Sequence, residues 1–388
     1  MNSEFSFQLY TDVRYGVGYS KKIGNFLKDH DFNKVLILVD EGCSKKSEYF
    51  DEVKSVINQY TEKLDIFYLR GTEEPDYDYL DEIVEKVRRL DKPDIIIGIG
   101  GGSSLDITKA VAGLCNNPGK SILYRGFDNL KVPGVPCMCI PTTAGTGSEV
   151  TINAVFTDKN EMKKLGINGK FMHATWAILD AEWTMSCPHS VAVSSGIDAM
   201  THAIESFMCK QSNIITQLYS KEAFRLLWEN LPCLVEDPNN LEKRQNILLG
   251  AYFAAVALFN SGSGISGALS YPIGVHFKVP HGIGGGIFLP SVIEFNVEAG
   301  YNGFAQLLDL IEYNPESTKR DKAVRFVKRF RAFSERIGVP KSLAKWGINS
   351  ENIDNVAKLM LPLQGAFDQN PVPFSAKKDA LAILKKHI

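Results

Sequence analysis

The run Ile95-Ile96-Ile97-Gly98-Ile99-Gly100 constrains the fold of this chain more than any other feature, because it is apolar at consecutive positions. A strand that is apolar on both sides is buried on both faces, as in a parallel sheet covered by helices. From about residue 33 to residue 140, short β-branched runs alternate with longer amphipathic runs, which is typical of repeated strand–helix–strand units. The pattern predicts an α/β fold with this strand at the centre of a parallel sheet.

The predicted elements divide the chain into two parts, as expected for 388 residues, which exceed the length of one ordinary core. In the first part, strands are predicted at 34–40, 63–69, 94–100, 136–140, 150–158 and 176–180, with helices at 47–60 and 77–90. Beyond Cys187, helical periodicity predicts helices at 194–208, 214–231, 241–260, 301–310, 319–337 and 352–361. We therefore expect an α/β domain with a parallel sheet over residues 1–186 and an all-α domain over residues 187–388.

Composition argues against several kinds of partner. The 43 basic and 45 acidic residues give a net charge of −2, so no summed charge attracts nucleic acid or an anionic membrane. The first residues lack the pattern of a signal peptide, and no stretch approaches the roughly 18 apolar residues of a membrane span. The seven cysteines are scattered and lack C-x-x-C pairs, which suits a reducing compartment. We expect a cytoplasmic protein without a nucleic-acid or membrane partner.

A glycine-rich turn follows the strand at 94–100 and opens an amphipathic helix. It contains Gly100, Gly101, Gly102 and Ser103, with Asp106 one turn into the helix. Amide groups at a helix N-terminus attract phosphate, and glycine lets a phosphate approach the backbone closely. The spacing matches neither G-x-G-x-x-G nor the Walker pattern, so two interpretations stand, a pyrophosphate site or a simple tight turn.

A threonine-rich loop follows the next predicted strand, and Asp40 ends the strand at 34–40. The loop includes Thr142, Thr143 and Ser148 among glycines, and its hydroxyl groups can bind a ligand or cap a helix. Ligands of open α/β sheets bind outside the carboxyl ends of the strands, where both loops are predicted. There Asp40 could bind ribose hydroxyls and repel a 2′-phosphate, or could simply start a turn. The first interpretation predicts NAD rather than NADP.

Asp198 and His202 form a candidate metal-binding pair. They are four residues apart on a predicted helix, so their side chains share one face and can bind one divalent cation. A solvated pair with this spacing is also common. His281, between Pro280 and Gly282, is either a further ligand or a histidine satisfied in the core or a loop.

Together these stretches resemble the iron-containing (group III) alcohol dehydrogenase family of the dehydroquinate synthase-like superfold. The resemblance rests on GGGSSLDITKA, PTTAGTGSEVT, GIDAMTHAIES and PHG, in this order over nearly the whole chain. It implies a dinucleotide-binding domain, an all-helical domain, NAD(P), a divalent metal such as iron or zinc, and a homodimer or larger assembly. The implied cofactor-binding residues are Asp40, Gly100, Gly101, Gly102, Ser103, Asp106, Thr142, Thr143, Ser148 and Lys164, and the implied metal ligands are Asp198, His202 and His281.

The chain departs from the family pattern at two positions of one helix. Where the family reads G-x-x-H-A-x-x-H, this chain has Gly267 in place of a metal histidine and Tyr271 in place of a histidine near the reacting alcohol. Glycine offers no side chain to a metal, so three ligands plus water is the most conservative alternative, with His276 as a candidate substitute. Tyr271 becomes a candidate acid/base or oxyanion donor, particularly if the ammonium of Lys278 lies close.

The predicted activity is NAD-dependent hydride transfer between a small polar alcohol and the nicotinamide, assisted by metal if the altered site binds one. The stretches 124–128, 163–168 and 270–271 also resemble the branch that oxidises a 3-deoxy-octulosonate sugar acid, which favours a polar or polyhydroxylated alcohol or aldehyde. Two alternatives remain open, a dehydroquinate synthase-like lyase that uses NAD transiently and a non-catalytic NAD-binding protein with an eroded metal site. The lyase needs a basic cluster around a phosphate, and residues 261–290 offer only Lys278.

Overall fold

The computed structural model describes residues 4–70 and 75–388. The chain divides into two compact units. One comprises Leu9–Pro188, and the other comprises His189–Ile388 together with the described residues that precede Leu9.

The first unit contains a six-stranded sheet and a three-stranded sheet. Its strands are β1 Asp12–Tyr15, β2 Lys34–Asp40, β3 Lys63–Leu69, β4 Ile95–Gly100, β5 Gly126–Phe127, β6 Cys137–Pro141, β7 Asn153–Asp158, β8 Lys163–Asn168 and β9 Trp176–Leu179. The larger sheet is parallel throughout, in the order β1-β9-β6-β4-β2-β3. In the smaller sheet β8 pairs with β5 in parallel and with β7 antiparallel.

Helices cover both faces of the larger sheet. They are α1 Ile23–Asp29, α2 Glu41–Lys46, α3 Glu48–Gln59, α4 Tyr77–Arg88 and α5 Gly102–Leu114. Strand β4 is buried at every residue and lies between β2 and β6. Its Ile96 packs in a core with α4 and α5, while Ile97 packs in a second core with α1 and α3. The prediction of a central, doubly covered strand is therefore confirmed.

The second unit is helical over its described residues. Its helices are α6 His189–Met208, α7 Ile214–Asn230, α8 Cys233–Glu236, α9 Leu241–Ser261, α10 Ile265–Phe277, α11 His281–Glu298, α12 Ala305–Ile311, α13 Lys319–Arg336, α14 Ile353–Lys358, α15 Gln364–Phe367 and α16 Asp379–Lys385. This architecture, a parallel-sheet unit followed by a helical unit, confirms the predicted fold class. In the described part of the chain, no helix alone meets the length and hydropathy of a membrane span, although α9 and α10, bent by 99°, meet them as a pair.

Helices α10 and α11 occupy a stretch in which periodicity predicts no helix. The stretch is rich in glycine, and it carries Pro272 inside α10 and Pro290 inside α11. Both residue types lower intrinsic helix propensity. Most residues of α11 are nevertheless buried, and packing supplies most of the stability of helices in proteins. Tertiary packing has therefore overridden local propensity at these two helices.

Candidate functional site

The two predicted loops and Asp40 meet at the carboxyl edge of the larger sheet. Strands β2, β4 and β6 are neighbours in this sheet and end at Asp40, Gly100 and Pro141. The Thr142 amide donates to the Gly100 carbonyl at 2.9 Å, so the threonine-rich loop starts directly beside the glycine-rich turn. The sequence predicted this meeting, because the carboxyl ends of parallel strands share one edge.

The glycines of the turn are closely packed by their neighbours. A Cβ atom added at Gly100 would lie 2.5 Å from Ser104 Cβ and 3.2 Å from Asp40 Cβ. At Gly102 it would lie 2.7 Å from the Thr146 side chain, whereas at Gly101 its nearest neighbour would be Thr143 Oγ1 at 3.4 Å. Helix α5 begins directly after Gly101, which is its N-cap. The turn thus presents backbone, rather than side chains, at the N-terminus of a buried helix, an arrangement that suits a phosphate.

Asp106 and Ser148, both predicted to bind cofactor, bind each other. The Ser148 hydroxyl donates to Asp106 Oδ1 at 2.5 Å, and the Val155 amide donates to Asp106 Oδ2 at 2.9 Å. The ammonium of Lys109, which is 1 % exposed, lies 3.3 Å from Asp106 Oδ1 and donates to the Asn153 carbonyl. These contacts fasten the threonine-rich loop and β7 to α5.

Three other residues predicted to bind cofactor occupy different positions in this unit. Ser103 is exposed in the first turn of α5. Lys164 lies on β8 opposite Thr157 of β7, in the smaller sheet. Asp40 also caps α2, because its Oδ1 accepts from the Cys43 amide at 2.8 Å. Asp40 therefore starts the turn into α2, as one of the two interpretations of this residue predicted, and it uses one carboxylate oxygen to do so.

The three predicted metal ligands converge in the helical unit. Asp198 and His202 lie one turn apart on α6, and His281 is the first residue of α11. Asp198 Oδ1 is 3.5 Å from His202 Nε2 and 3.8 Å from His281 Nε2, and the ligand atoms all lie within 4.8 Å of one another. The side chains are 6 %, 12 % and 22 % exposed, respectively.

This donor set fits a single divalent cation. Carboxylate oxygens and unprotonated imidazole nitrogens all carry lone pairs, and their convergence in a mostly buried place is unfavourable without a cation. Two histidines with one carboxylate occur in non-haem iron sites and in catalytic zinc sites, and both kinds of site keep open positions for substrate or water. The Nδ1 atom of His202 is buried and has no hydrogen-bond partner among the described residues.

The two positions at which the chain departs from the family pattern, Gly267 and Tyr271, lie on α10, as does His276, and Lys278 caps the end of this helix. Tyr271 is 36 % exposed, and its ring centroid is 4.8 Å from that of His281 at an angle of 41°. His276 is exposed and does not belong to the cluster of metal-ligating groups found among the described residues. Lys278 is exposed and ends α10 in the left-handed conformation with φ 59°. A Cβ atom added at Gly267 would meet Glu205 Oε2 at 3.1 Å.

Sequence reasoning missed two residues that organise this site, Glu205 and Ser270. Glu205 of α6 is fully buried, and its carboxylate accepts from the amides of Gly264, Ser266 and Gly267 at 2.8, 2.6 and 3.2 Å. Burial raises the pKa of this carboxyl, and the three amides oppose the rise. Ser270 is buried and contacts His281. Both residues lie in stretches that carry the family resemblance, but no local pattern in the sequence indicates which partners they contact.

Comparison with known proteins identifies the family to which this chain is similar. The family model of the iron-containing alcohol dehydrogenase matches residues 11–181, and that of the Fe-containing alcohol dehydrogenase C-terminal region matches residues 192–388. The NAD-dependent methanol dehydrogenase of Bacillus methanolicus is 31% identical over 344 residues, covering 88% of this chain and 90% of that protein. The sulfoacetaldehyde reductase of Bilophila wadsworthia (strain 3_1_6) is 32% identical over 270 residues, which are 69% of each chain.

Among solved structures, the alcohol dehydrogenase from Oenococcus oeni superposes with a TM-score of 0.92 at 25% identity, covering 99% of this chain and 100% of that chain. These matches confirm the enzyme class predicted from the sequence, an alcohol dehydrogenase with a nicotinamide cofactor. Since the two family models span nearly all of both units, the chain belongs to the iron-containing alcohol dehydrogenase family.

Proposed function

We propose that this protein transfers a hydride between a small polar alcohol and NAD, with a divalent metal held by Asp198, His202 and His281. The observation that carries the proposal is the convergence of these three ligand atoms within 4.8 Å, in a chain that has lost the family's third metal histidine to Gly267. Three protein ligands leave coordination positions for the substrate oxygen and water.

The cofactor-binding part of the proposal rests on the α/β unit. Pyrophosphate binding is assigned to the amides around Gly100, Gly101 and Gly102, because they lie at the N-terminus of α5. Thr142, Thr143 and Ser103 line the same edge, and Lys164 supplies a positive charge to the cofactor. Asp106 and Ser148 act by holding the threonine-rich loop in place. Asp40 binds the adenosine ribose and repels a 2′-phosphate, which selects NAD.

The chemical part of the proposal rests on the helical unit. A divalent cation bound there supplies Lewis-acid stabilisation of the negative charge that develops on the substrate oxygen. The contact between the rings of Tyr271 and His281 supports a role for the tyrosine hydroxyl group as a hydrogen-bond donor or acid/base toward the same oxygen. Lys278 follows Tyr271 by seven residues and caps the end of α10, about 10 Å further along the helix axis, and is proposed to supply positive charge to the site.

The substrate class follows from the polar groups of this site and from the relatives. The relatives named above act, by their names, on methanol and on sulfoacetaldehyde, both small and polar. We propose a polar alcohol or aldehyde, with sugars and sugar acids included. All seven cysteines lie in the described part of the chain and none forms a disulfide, which supports a cytoplasmic enzyme. A homodimer or larger assembly is proposed on the family resemblance.

The proposal is tested by measuring metal content by mass spectrometry and NADH formation over a panel of alcohols, diols and sugar acids. The protein is first loaded with iron or zinc under anaerobic conditions and desalted. We expect about one metal per chain and NADH formation in the wild type, and loss of both in His281→Ala, because two remaining ligands bind metal weakly. His276→Ala is the matched control and should keep metal and activity.

Wild-type protein that retains no metal would contradict the metal assignment. Turnover that persists without metal and disappears in Tyr271→Phe would transfer the acid/base role to Tyr271 alone. Substrate conversion without net NADH would instead identify a lyase, and NAD binding without any turnover would identify a non-catalytic protein.

A further inference from the structure

Ser270 makes two short hydrogen bonds that connect α10 to the candidate metal ligand on α11. Its Oγ lies 2.6 Å from His281 Nδ1 and 2.6 Å from the carbonyl oxygen of Gly267. Ser270 is fully buried, and both of its partners are partly buried. One hydroxyl group therefore bridges a backbone acceptor and an imidazole ring.

The direction of the two hydrogen bonds follows from the number of protons. A carbonyl oxygen only accepts, and a serine hydroxyl has a single proton to donate. The Ser270 proton must therefore point to the Gly267 carbonyl, since two acceptor oxygens at 2.6 Å repel each other otherwise. Ser270 Oγ then accepts from His281, which places a proton on Nδ1 of the imidazole.

The protonated Nδ1 determines what the other ring nitrogen of His281 offers. In a neutral imidazole that carries its proton on Nδ1, Nε2 has the lone pair. This Nε2 atom lies 3.8 Å from Asp198 Oδ1, inside the cluster of three ligand atoms. We propose that Ser270 is a positioning residue that holds His281 in its metal-binding tautomer by relaying a hydrogen bond to the Gly267 carbonyl. This inference rests on the proposed function of the cluster.

Contacts of the residues around Ser270 hold both of its hydrogen-bond partners in place. Glu205 accepts from three amides at the start of α10, including that of Gly267, and so fixes the helix end whose carbonyl receives the Ser270 proton. Tyr271, the next residue after Ser270, packs its ring against that of His281. The imidazole therefore has a hydrogen-bond partner at its Nδ1 atom and a tilted ring contact with Tyr271.

The test compares cobalt affinity in three single-alanine variants of the full chain. Co²⁺ is titrated into metal-free protein against a competing chelator and followed through its d–d absorption. We expect Ser270→Ala to weaken cobalt binding by about 10- to 100-fold, the usual effect of removing a hydrogen-bond partner of a ligating histidine.

Two variants control for the loss of a buried serine hydroxyl. Ser266 is buried on the same helix, but its Oγ has no hydrogen-bond partner among the described residues. Ser334 of α13 is buried and donates to the Phe330 carbonyl at 3.1 Å, so its alanine variant loses a bond of the same kind far along the chain. Ser266→Ala and Ser334→Ala should bind cobalt as the wild type does.

A second readout reports the tautomer without any metal. The ¹⁵N shifts of the His281 ring, assigned by comparison with His281→Gln, should show a proton on Nδ1 in the metal-free wild type. In Ser270→Ala the proton should move to Nε2 or distribute between the two nitrogens, because Nδ1 has lost its acceptor.

Unchanged cobalt affinity in Ser270→Ala would overturn the inference, as would an Nδ1 proton that persists in that variant. Failure of the wild type to bind cobalt would overturn the proposed function of the cluster. The two failures are distinguishable, because the tautomer is measured in metal-free protein and reports on Ser270 in either case.

Discussion

Glu149 shows how a single buried carboxyl group in the α/β unit couples stability to pH. It is 2 % exposed and directly follows Ser148 in the threonine-rich loop. Burial raises its pKa from 4.5 to about 7, and the Lys109 ammonium opposes the rise only in part. In the folded protein the carboxyl group therefore keeps its proton at pH values at which the unfolded chain has lost it. Its contribution to the free energy of unfolding falls as the pH rises from 4.5 to about 7.

Glu149→Gln should remove this dependence, because an amide of the same shape does not ionise. Relative to the wild type, the variant should gain about 2 kcal/mol of stability between about pH 5 and pH 8, since one pKa unit corresponds to about 1.4 kcal/mol. Urea unfolding of both proteins at the two pH values measures this difference. Glu351→Gln, at an exposed position, should show no such gain, and an equal gain there would refute the explanation.

At the scale of elements, the packing of α5 on β4 depends on the absence of a side chain at Gly98. A Cβ atom there would lie 2.3 Å from Thr108 Oγ1 and 2.7 Å from Thr108 Cβ. Thr108 is itself fixed, because it is fully buried and donates to the Ser104 carbonyl at 2.8 Å. The close approach of this strand and helix positions the glycine-rich turn that joins them.

Gly98→Ala should therefore destabilise the protein by about 1–3 kcal/mol, the usual cost of overpacking a core. Gly101→Ala is the matched control in the same segment, since its Cβ would meet only ordinary contacts of 3.4 Å or more and its φ is −75°. Chemical unfolding compares the two variants with the wild type. A Gly101→Ala variant as unstable as Gly98→Ala would show that the turn, not the helix packing, is the sensitive feature.

At the scale of the whole molecule, the proposed cofactor and metal functions belong to different compact units. Asp40 and the glycine-rich turn lie within Leu9–Pro188, whereas Asp198, His202 and His281 lie within His189–Ile388. Each set of residues lies on strands, helices or loops of its own unit. The two binding functions should therefore respond to different substitutions.

Asp40→Asn should alter cofactor preference and leave metal content unchanged. Asparagine preserves the cap of α2 but lacks the charge that repels a 2′-phosphate and that strengthens hydrogen bonds from ribose hydroxyls. The ratio of NADH to NADPH affinity should therefore fall about tenfold, the usual size of the loss when one hydrogen bond to a charged group is weakened. Fluorescence titration measures both affinities. His281→Ala should show the reverse behaviour, with metal lost and NADH affinity retained, and a change of both properties in either variant would contradict the separation.

The fold class and the shared helical face of Asp198 and His202 were predictable because their signals are local. Strand β4 is apolar on both faces and α4 is amphipathic, a combination that predicts a parallel sheet covered by helices. The carboxyl ends of the strands in such a sheet share one edge. The spacing of Asp198 and His202 similarly places two ligands on one helical face. His281 was assigned from its family motif, and the structure brings it to the same cluster.

The tertiary structure alone decided what depends on partners distant in sequence. Helix α10 contains Pro272, and at its start the Glu205 carboxylate accepts hydrogen bonds from three backbone amides. Glu205 lies some 60 residues earlier in the chain, so no local pattern could reveal where the helix begins. The hydrogen-bond partner of His281 Nδ1 is Ser270 on another helix, which is the basis of the proposed tautomer. Local propensity and periodicity are properties of adjacent residues, whereas capping and hydrogen-bond direction depend on which side chains the folded chain brings within 3 Å or so of each other.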